Sequence, residues 1–193
     1  ITMEEKKQMN TLIIAPIVGV LALLFALYKA STINKAEPGN ERMQEISSYI
    51  HEGAMAFLAR QYKSVGIFAI IMFFILGLAI NWPTALAFAA GAACSALAGY
   101  FGMTVATKAN VRTANAAMTS GMNRALDIAF SGGSVMGMTV VGLGLLGTGI
   151  FWIIFKDANI VTGFSLGASS IALFARVGGG IYTKAADVGA NLV

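Results

Sequence analysis

Apolar positions along this chain fall into five runs, at 11–28, 65–81, 84–106, 134–155 and 161–182. Each is near the roughly 20 residues that a helix needs to cross the hydrocarbon of a bilayer. The turns between them at Asn81-Trp82-Pro83 and Lys156-Asp157-Ala158-Asn159 are short, whereas 30–64 and 107–133 are long and polar, and 183–193 adds a further polar segment. Within 41–62, apolar Ile46, Ile50, Ala54, Phe57 and Leu58 recur at helical spacing. That spacing predicts an amphipathic helix running into the second apolar run, with Pro38-Gly39 marking its start. The first run is not a signal peptide: Glu4 and Glu5 stand beside Lys6 and Lys7 ahead of it, and no persuasive small-residue cleavage site follows. The pattern predicts an all-α integral membrane chain with about five transmembrane helices.

Composition agrees, since 57% of residues are hydrophobic, 11% are charged, and the mean hydropathy is +0.74. A soluble domain is excluded. The net charge of +4 does not indicate a nucleic-acid partner, because the basic residues are dispersed between apolar runs without aromatic interleaving. They report orientation instead. With the N-terminus outside, the inner segments hold Lys29, Lys35, Arg42, Arg60, Lys63, Lys108, Arg112, Arg124, Arg176 and Lys184, and Lys6, Lys7 and Lys156 lie outside. This positive-inside bias makes 30–64, 107–133 and 183–193 cytoplasmic.

The runs are rich in small residues that let helix backbones approach closely: Gly91, Ser95 and Gly99, a neighbouring stripe of Ala98, Gly102 and Ala106, then Gly133 with Gly137 and Gly163 with Gly167. Dense helix packing is predicted. The ten methionines are scattered, as flexible core filling is. Cys94 has no partner in the chain, so it forms no intrachain disulfide or cysteine metal site and reads as packing. His51 reads as a surface histidine on the amphipathic helix rather than a proton shuttle, with the surrounding Glu and Arg residues forming a solvated face.

The tail is where chemistry is expected. A charge at bilayer depth costs a few kcal/mol or more, so it is kept where it lines a cavity, finds a partner or handles an ion. At 100° per residue, Arg176, Gly180, Lys184, Asp187 and Asn191 project within about 80° of one another on one helical face. Lys184 lies about 12 Å along the axis from Arg176, with Asp187 and Asn191 beyond it. Lysine suits phosphate, and an aspartate suits Mg²⁺, which commonly binds through one or two carboxylates plus substrate phosphates. The same spacing also fits a plain Lys–Asp ion pair at a helix end with Arg176 snorkelling to the interface. Gly178-Gly179-Gly180 lacks the spacing of a phosphate-binding Walker loop and reads as a close helix contact.

The segment 178–190, Gly-Gly-Gly-Ile-Tyr-Thr-Lys-Ala-Ala-Asp-Val-Gly-Ala, preceded by Phe174-Ala175-Arg176, closely resembles the membrane-bound, ion-pumping inorganic pyrophosphatases. Further stretches agree in order: Gly39-Asn40-Glu41-Arg42-Met43 with Ile46-Ser47, Ala106-Thr107-Lys108-Ala109-Asn110-Val111-Arg112-Thr113, and Gly132-Gly133-Ser134-Val135-Met136-Gly137. The resemblance implies a homodimer with about sixteen helices per subunit, in which hydrolysis of cytoplasmic Mg²⁺-pyrophosphate drives H⁺ or Na⁺ across the lipid bilayer, with K⁺ as a further cofactor in some members. It points to a bacterial-type cytoplasmic membrane. Lys184 matches the lysine that contacts pyrophosphate, Asp187 the aspartate that binds Mg²⁺-pyrophosphate, and Arg176 the arginine of an ionic gate beneath the site. Asn191 departs from the family pattern, which reads aspartate there; an amide keeps an acceptor oxygen but loses the charge.

The resemblance also implies that this chain is about the first third of such a subunit and holds no catalytic carboxylate, the others lying beyond Val193. A start at Ile1 and a stop inside a helical pattern are consistent with that, and because too few Mg²⁺ ligands remain to assemble a site, the chain alone is expected to be inactive. Two readings from other classes remain at this point. One is a channel or transporter subunit whose stripe of Arg176, Lys184 and Asp187 lines a permeation path; the other is a structural membrane-assembly subunit in which those residues are dispensable.

Overall fold

The structure, a computed structural model, describes the backbone from Met3 to Leu192 and the side chains from Ile14 to Leu192. Five helices follow one another with short connections: α1 (Met3–Lys35), α2 (Glu41–Ala79), α3 (Trp82–Thr119), α4 (Met122–Phe155) and α5 (Ala158–Ala190). All five contain stretches long and apolar enough to cross a membrane.

The helices outrun the apolar runs. The polar stretch 107–133 is not a loop: α3 continues to Thr119 and α4 starts at Met122. Nothing in the sequence breaks the helix until Gly121, which takes φ +86°, a left-handed conformation that glycine adopts without a Cβ clash. Similarly, α2 is one helix of 39 residues, about 58 Å long against about 30 Å of hydrocarbon. Its start is fixed by Asn40, whose side chain accepts from the backbone N–H of Met43 at 2.9 Å, satisfying a donor that the helix itself cannot. Asn81 caps α3 through Thr84 N–H at 2.8 Å, with proline in the first helical turn, and Asp157 caps α5 through Asn159 N–H.

Packing follows the glycines. Helix α3 touches all four others. Along α3 and α5 the contacts advance together, Thr84 with Gly163 and Phe88 with Gly167, so these two helices run parallel. A Cβ on Gly167 would collide with the Phe88 carbonyl, one on Gly91 with the Phe164 carbonyl, and one on Gly163 would lie 2.7 Å from the Thr84 carbonyl oxygen. Backbone therefore lies on backbone, the arrangement that small residues permit where lipid supplies no hydrophobic drive to associate. Phe88 and Ala85, beside this contact, have no exposed surface. Helix α4 runs antiparallel to α1, with Gly142 against Gly19 and Gly149 under the ring of Pro16, and antiparallel to α3, with Met136 against Gly102.

Some small residues do other work than the pattern predicts. Gly163, Gly167 and Gly91 make close contacts, but Gly133 and Gly137 face open space; on α4 the contacts fall to Gly132, Gly142, Gly147 and Gly149. Cys94 is half-buried beside the cluster of Ala87, Ile160 and Phe164, as packing requires. Within each apolar window only 11% to 33% of residues are buried, so most of the apolar surface is left for lipid or further protein.

Candidate functional site

The alternating directions gather the C-terminal ends of α1, α3 and α5 and the N-terminal ends of α2 and α4 at one end of the bundle. Of the described Lys and Arg side chains, only Lys156 lies at the other end. The tail of α5 belongs to the basic end.

Helix α5 continues unbroken through Gly178-Gly179-Gly180 to Ala190, and Asn191 is its C-cap, with its N–H bonded to the Asp187 carbonyl at 3.1 Å. The helix is held there by α2. Gln61 donates from Nε2 to the Phe174 carbonyl at 2.8 Å, Phe57 stacks on Tyr182 with centroids 5.0 Å apart, and Phe68 meets Phe174 at 4.9 Å. Gly178 admits this approach, since a Cβ there would lie 2.9 Å from Gln61 Nε2. Gly179 and Gly180 face open space, so only the first glycine of the triplet is the close contact that the sequence suggests.

Phe174, Gly178 and Tyr182 form one helical face, and at 100° per residue the stripe of Arg176, Gly180, Lys184 and Asp187 is centred about 160° away from it. The stripe therefore points away from α2. Lys184 Nζ lies 3.3 Å from Asp187 Oδ2, with the side chains 83% and 64% exposed. An ion pair this exposed contributes about 0–1 kcal/mol, so it does little for the fold. Arg176 is exposed two turns nearer the membrane and makes no hydrogen bond or ion pair among the described residues. The side chain of Asn191 likewise makes none.

Lys184 and Asp187 thus come together, while Arg176 and Asn191 flank them on the same side. Chemically the arrangement suits one edge of a site. A cation and a carboxylate side by side suit a phosphate oxygen and a hard metal ion respectively. No group of three or more His, Cys, Asp or Glu able to hold a metal exists among the described residues. Asp187 fits Mg²⁺ as one carboxylate of a site completed by phosphate oxygens and other ligands, not as part of a preformed cage.

The supporting residues Phe57, Gln61 and Phe68 were not singled out as a set from the sequence. Their signal was helical phase: they lie within about 40° on α2 and face Phe174, Gly178 and Tyr182 on α5. His51 also differs from expectation. It is half-buried, not on an open surface, with Nδ1 2.9 Å from Thr107 Oγ1 of α3. The neighbouring Arg42–Glu45 pair at 2.7 Å is solvated, as predicted.

A family model described as inorganic H⁺ pyrophosphatase matches residues 20–193. A protein of Clostridium tetani whose name describes a K⁺-stimulated pyrophosphate-energized sodium pump is 60% identical over 91% of this chain and 26% of its own length. A K⁺-insensitive pyrophosphate-energized proton pump of Methanosarcina mazei is 49% identical over 93% of this chain and 27% of its own length. A K⁺-stimulated pyrophosphate-energized sodium pump of Thermotoga maritima is 42% identical over 92% and 28%. The chain spans about a quarter of the length of these relatives, rather than the third expected from its sequence.

Proposed function

Because this integral membrane chain belongs to the inorganic H⁺ pyrophosphatase family, we propose that it forms part of a primary ion pump energised by pyrophosphate hydrolysis. The observation that carries this reading is the outward-facing stripe of α5, where Lys184 and Asp187 stand side by side with few interactions to their own bundle. That exposure leaves both side chains free to meet a substrate and the rest of a site.

In the proposed mechanism Lys184 contacts a phosphate oxygen of pyrophosphate and Asp187 is the carboxylate that would hold Mg²⁺. A Mg²⁺ ion held by Asp187 would screen the phosphate charge and polarise the P–O bonds, opening the phosphorus to attack by water. Binding of the anion separates Lys184 from Asp187, so that the lysine turns from its internal partner to the substrate. Arg176, about 12 Å deeper along α5, is the gate cation whose partners change as the helices move. Moving one charge against 100 mV requires about 2.3 kcal/mol, a load that one anhydride cleavage can drive. The positive-inside bias puts the Lys184 end in the cytoplasm and the N-terminus outside. The working form is a homodimer, and H⁺ or Na⁺ is the transported ion, with K⁺ as a stimulating cofactor in some relatives and not in others.

The test is made on the whole protein in sealed vesicles, with Mg-pyrophosphate added and internal pH and Na⁺ both followed. Pyrophosphate-dependent uptake of one ion is expected and identifies it, and repeating the assay with and without K⁺ assigns the cofactor. Lys184→Ala should abolish both hydrolysis and uptake, and near-normal turnover in that variant would refute the assignment. Arg176→Ala should reduce ions moved per pyrophosphate more than it reduces hydrolysis.

A further inference from the structure

Two stretches that the pump mechanism leaves unused, 39–47 and 106–113, meet in space. Arg112 of α3 donates from Nε to the Ala36 carbonyl at 3.0 Å and from Nη1 to the Lys108 carbonyl at 2.9 Å. Asn115 donates to the Glu37 carbonyl at 3.2 Å. Together they pin the turn 36–40, which Gly39 closes at φ +86°. One turn of α3 away, the Thr107 hydroxyl donates to the Thr104 carbonyl at 3.1 Å, so its oxygen is left to accept the Nδ1 proton of His51 at 2.9 Å. This assigns the His51 tautomer from its network and leaves Nε2 without a partner among the described residues.

Between these groups lies an open cleft of about 340 Å³, lined by Gln44, Ser47, Ser48, His51, Lys108 and Arg112 among others. That size falls within the ~300–1,000 Å³ typical of small-ligand sites. It contains two fixed cations and no carboxylate side chain. Arg112 is held by two backbone carbonyls, so its remaining N–H groups are oriented before any ligand arrives. Lys108 is exposed and makes no side-chain hydrogen bond or ion pair among the described residues. The first turn of α2 adds the positive end of a helix dipole beside Gln44. The stripe of α5 faces away from α2, so the cleft is separate from the pyrophosphate site proposed above.

We propose that this cleft is a second anion site, for a phosphate-type group carried either by a soluble phosphate or by the headgroup of an anionic lipid. The shared chemistry is a tetrahedral oxyanion taking hydrogen bonds from the Arg112 guanidinium and the Ser47 hydroxyl, with Lys108 as the point charge; the Ser48 hydroxyl is already committed to the Glu45 carbonyl.

The experiment uses the purified whole protein carrying Lys184→Ala, so that the tail stripe does not contribute to anion binding. Inorganic phosphate is titrated by calorimetry, and retention of phosphatidylglycerol over phosphatidylcholine is measured by native mass spectrometry from mixed nanodiscs. Lys108→Glu should weaken one of these at least tenfold, with Lys108→Gln intermediate. Lys63→Glu, which makes the same charge change at an exposed site outside the cleft, should leave it within twofold. Loss of phosphate binding identifies a soluble ligand, and loss of phosphatidylglycerol a lipid headgroup. Equal effects from Lys108→Glu and Lys63→Glu, or no binding of either probe before mutation, would overturn the proposal.

Discussion

The two halves of α5 are held in opposite ways. Near its start, Gly163 and Gly167 lie against the α3 backbone at Thr84 and Phe88, where a single added Cβ finds no room. Beyond Phe174 the same helix is touched by α2 through two aromatic pairs and one side-chain hydrogen bond, and its charged face is open. Neither glycine of the first half can take a side chain without moving backbone. In the second half the Lys184–Asp187 pair is exposed, so changes of charge there are expected to have little effect on folding. Fixed position and available chemistry are thus divided along one continuous helix.

The sharpest way to break this contrast is at the clamp. Gly167→Leu drives a side chain into the Phe88 carbonyl and should destabilise the bundle by about 4 kcal/mol or more. A normal melting temperature and normal yield of monodisperse whole protein would show that α3 and α5 are not so tightly apposed. In the open half, Asp187→Asn should lower hydrolysis by about 10²-fold or more while shifting stability by less than about 1 kcal/mol, because its ion pair is exposed. Paired measurement of turnover and thermal unfolding checks both limbs; a large loss of stability would return Asp187 to a structural role. Removing the α2 support by Phe57→Ala should cost about 0.5–1.5 kcal/mol beyond the lost buried area and loosen the tail, read as faster amide exchange over 174–190. Unchanged exchange would mean that α2 does not restrain it. The smallest effect is expected from Asn191→Asp, which adds a carboxylate beside Asp187 and should lower the Mg²⁺ concentration for half-maximal hydrolysis by roughly threefold. An unchanged Mg²⁺ dependence would place residue 191 outside the metal's reach.

Much of the architecture was legible because lipid imposes a simple rule: every crossing needs a long apolar helix. The polar stretches were harder. The apolar pattern ends the third run at 106, yet 107–119 carries no proline or glycine, and the helix runs on to the glycine at 121. Glycine spacing found Gly163 and Gly167 correctly but also marked Gly133 and Gly137, where an added Cβ would meet no other element within 4 Å. Spacing reports that a face is smooth, not that another helix covers it. The stripe of α5 was visible because it lies on one helix and needs only periodicity. The proximity of His51 to Thr107, and of Arg112 to Ala36, joins residues 56 and 76 positions apart, and no local pattern encodes such distances.

The glycine clamp stands where a fulcrum for α5 would lie if the α2 contacts at Phe174 and Tyr182 gave way. Measured from Gly167, Arg176 lies about 13 Å and Lys184 about 25 Å along the helix axis. If α5 tilts there as a stiff rod, a rotation of 5° sweeps Lys184 through about 2 Å and Arg176 through about 1 Å, a constant two-to-one gearing. A displacement of this size at Lys184 would then appear at Arg176 at half amplitude and at the same instant, without any other part of the chain needing to carry it.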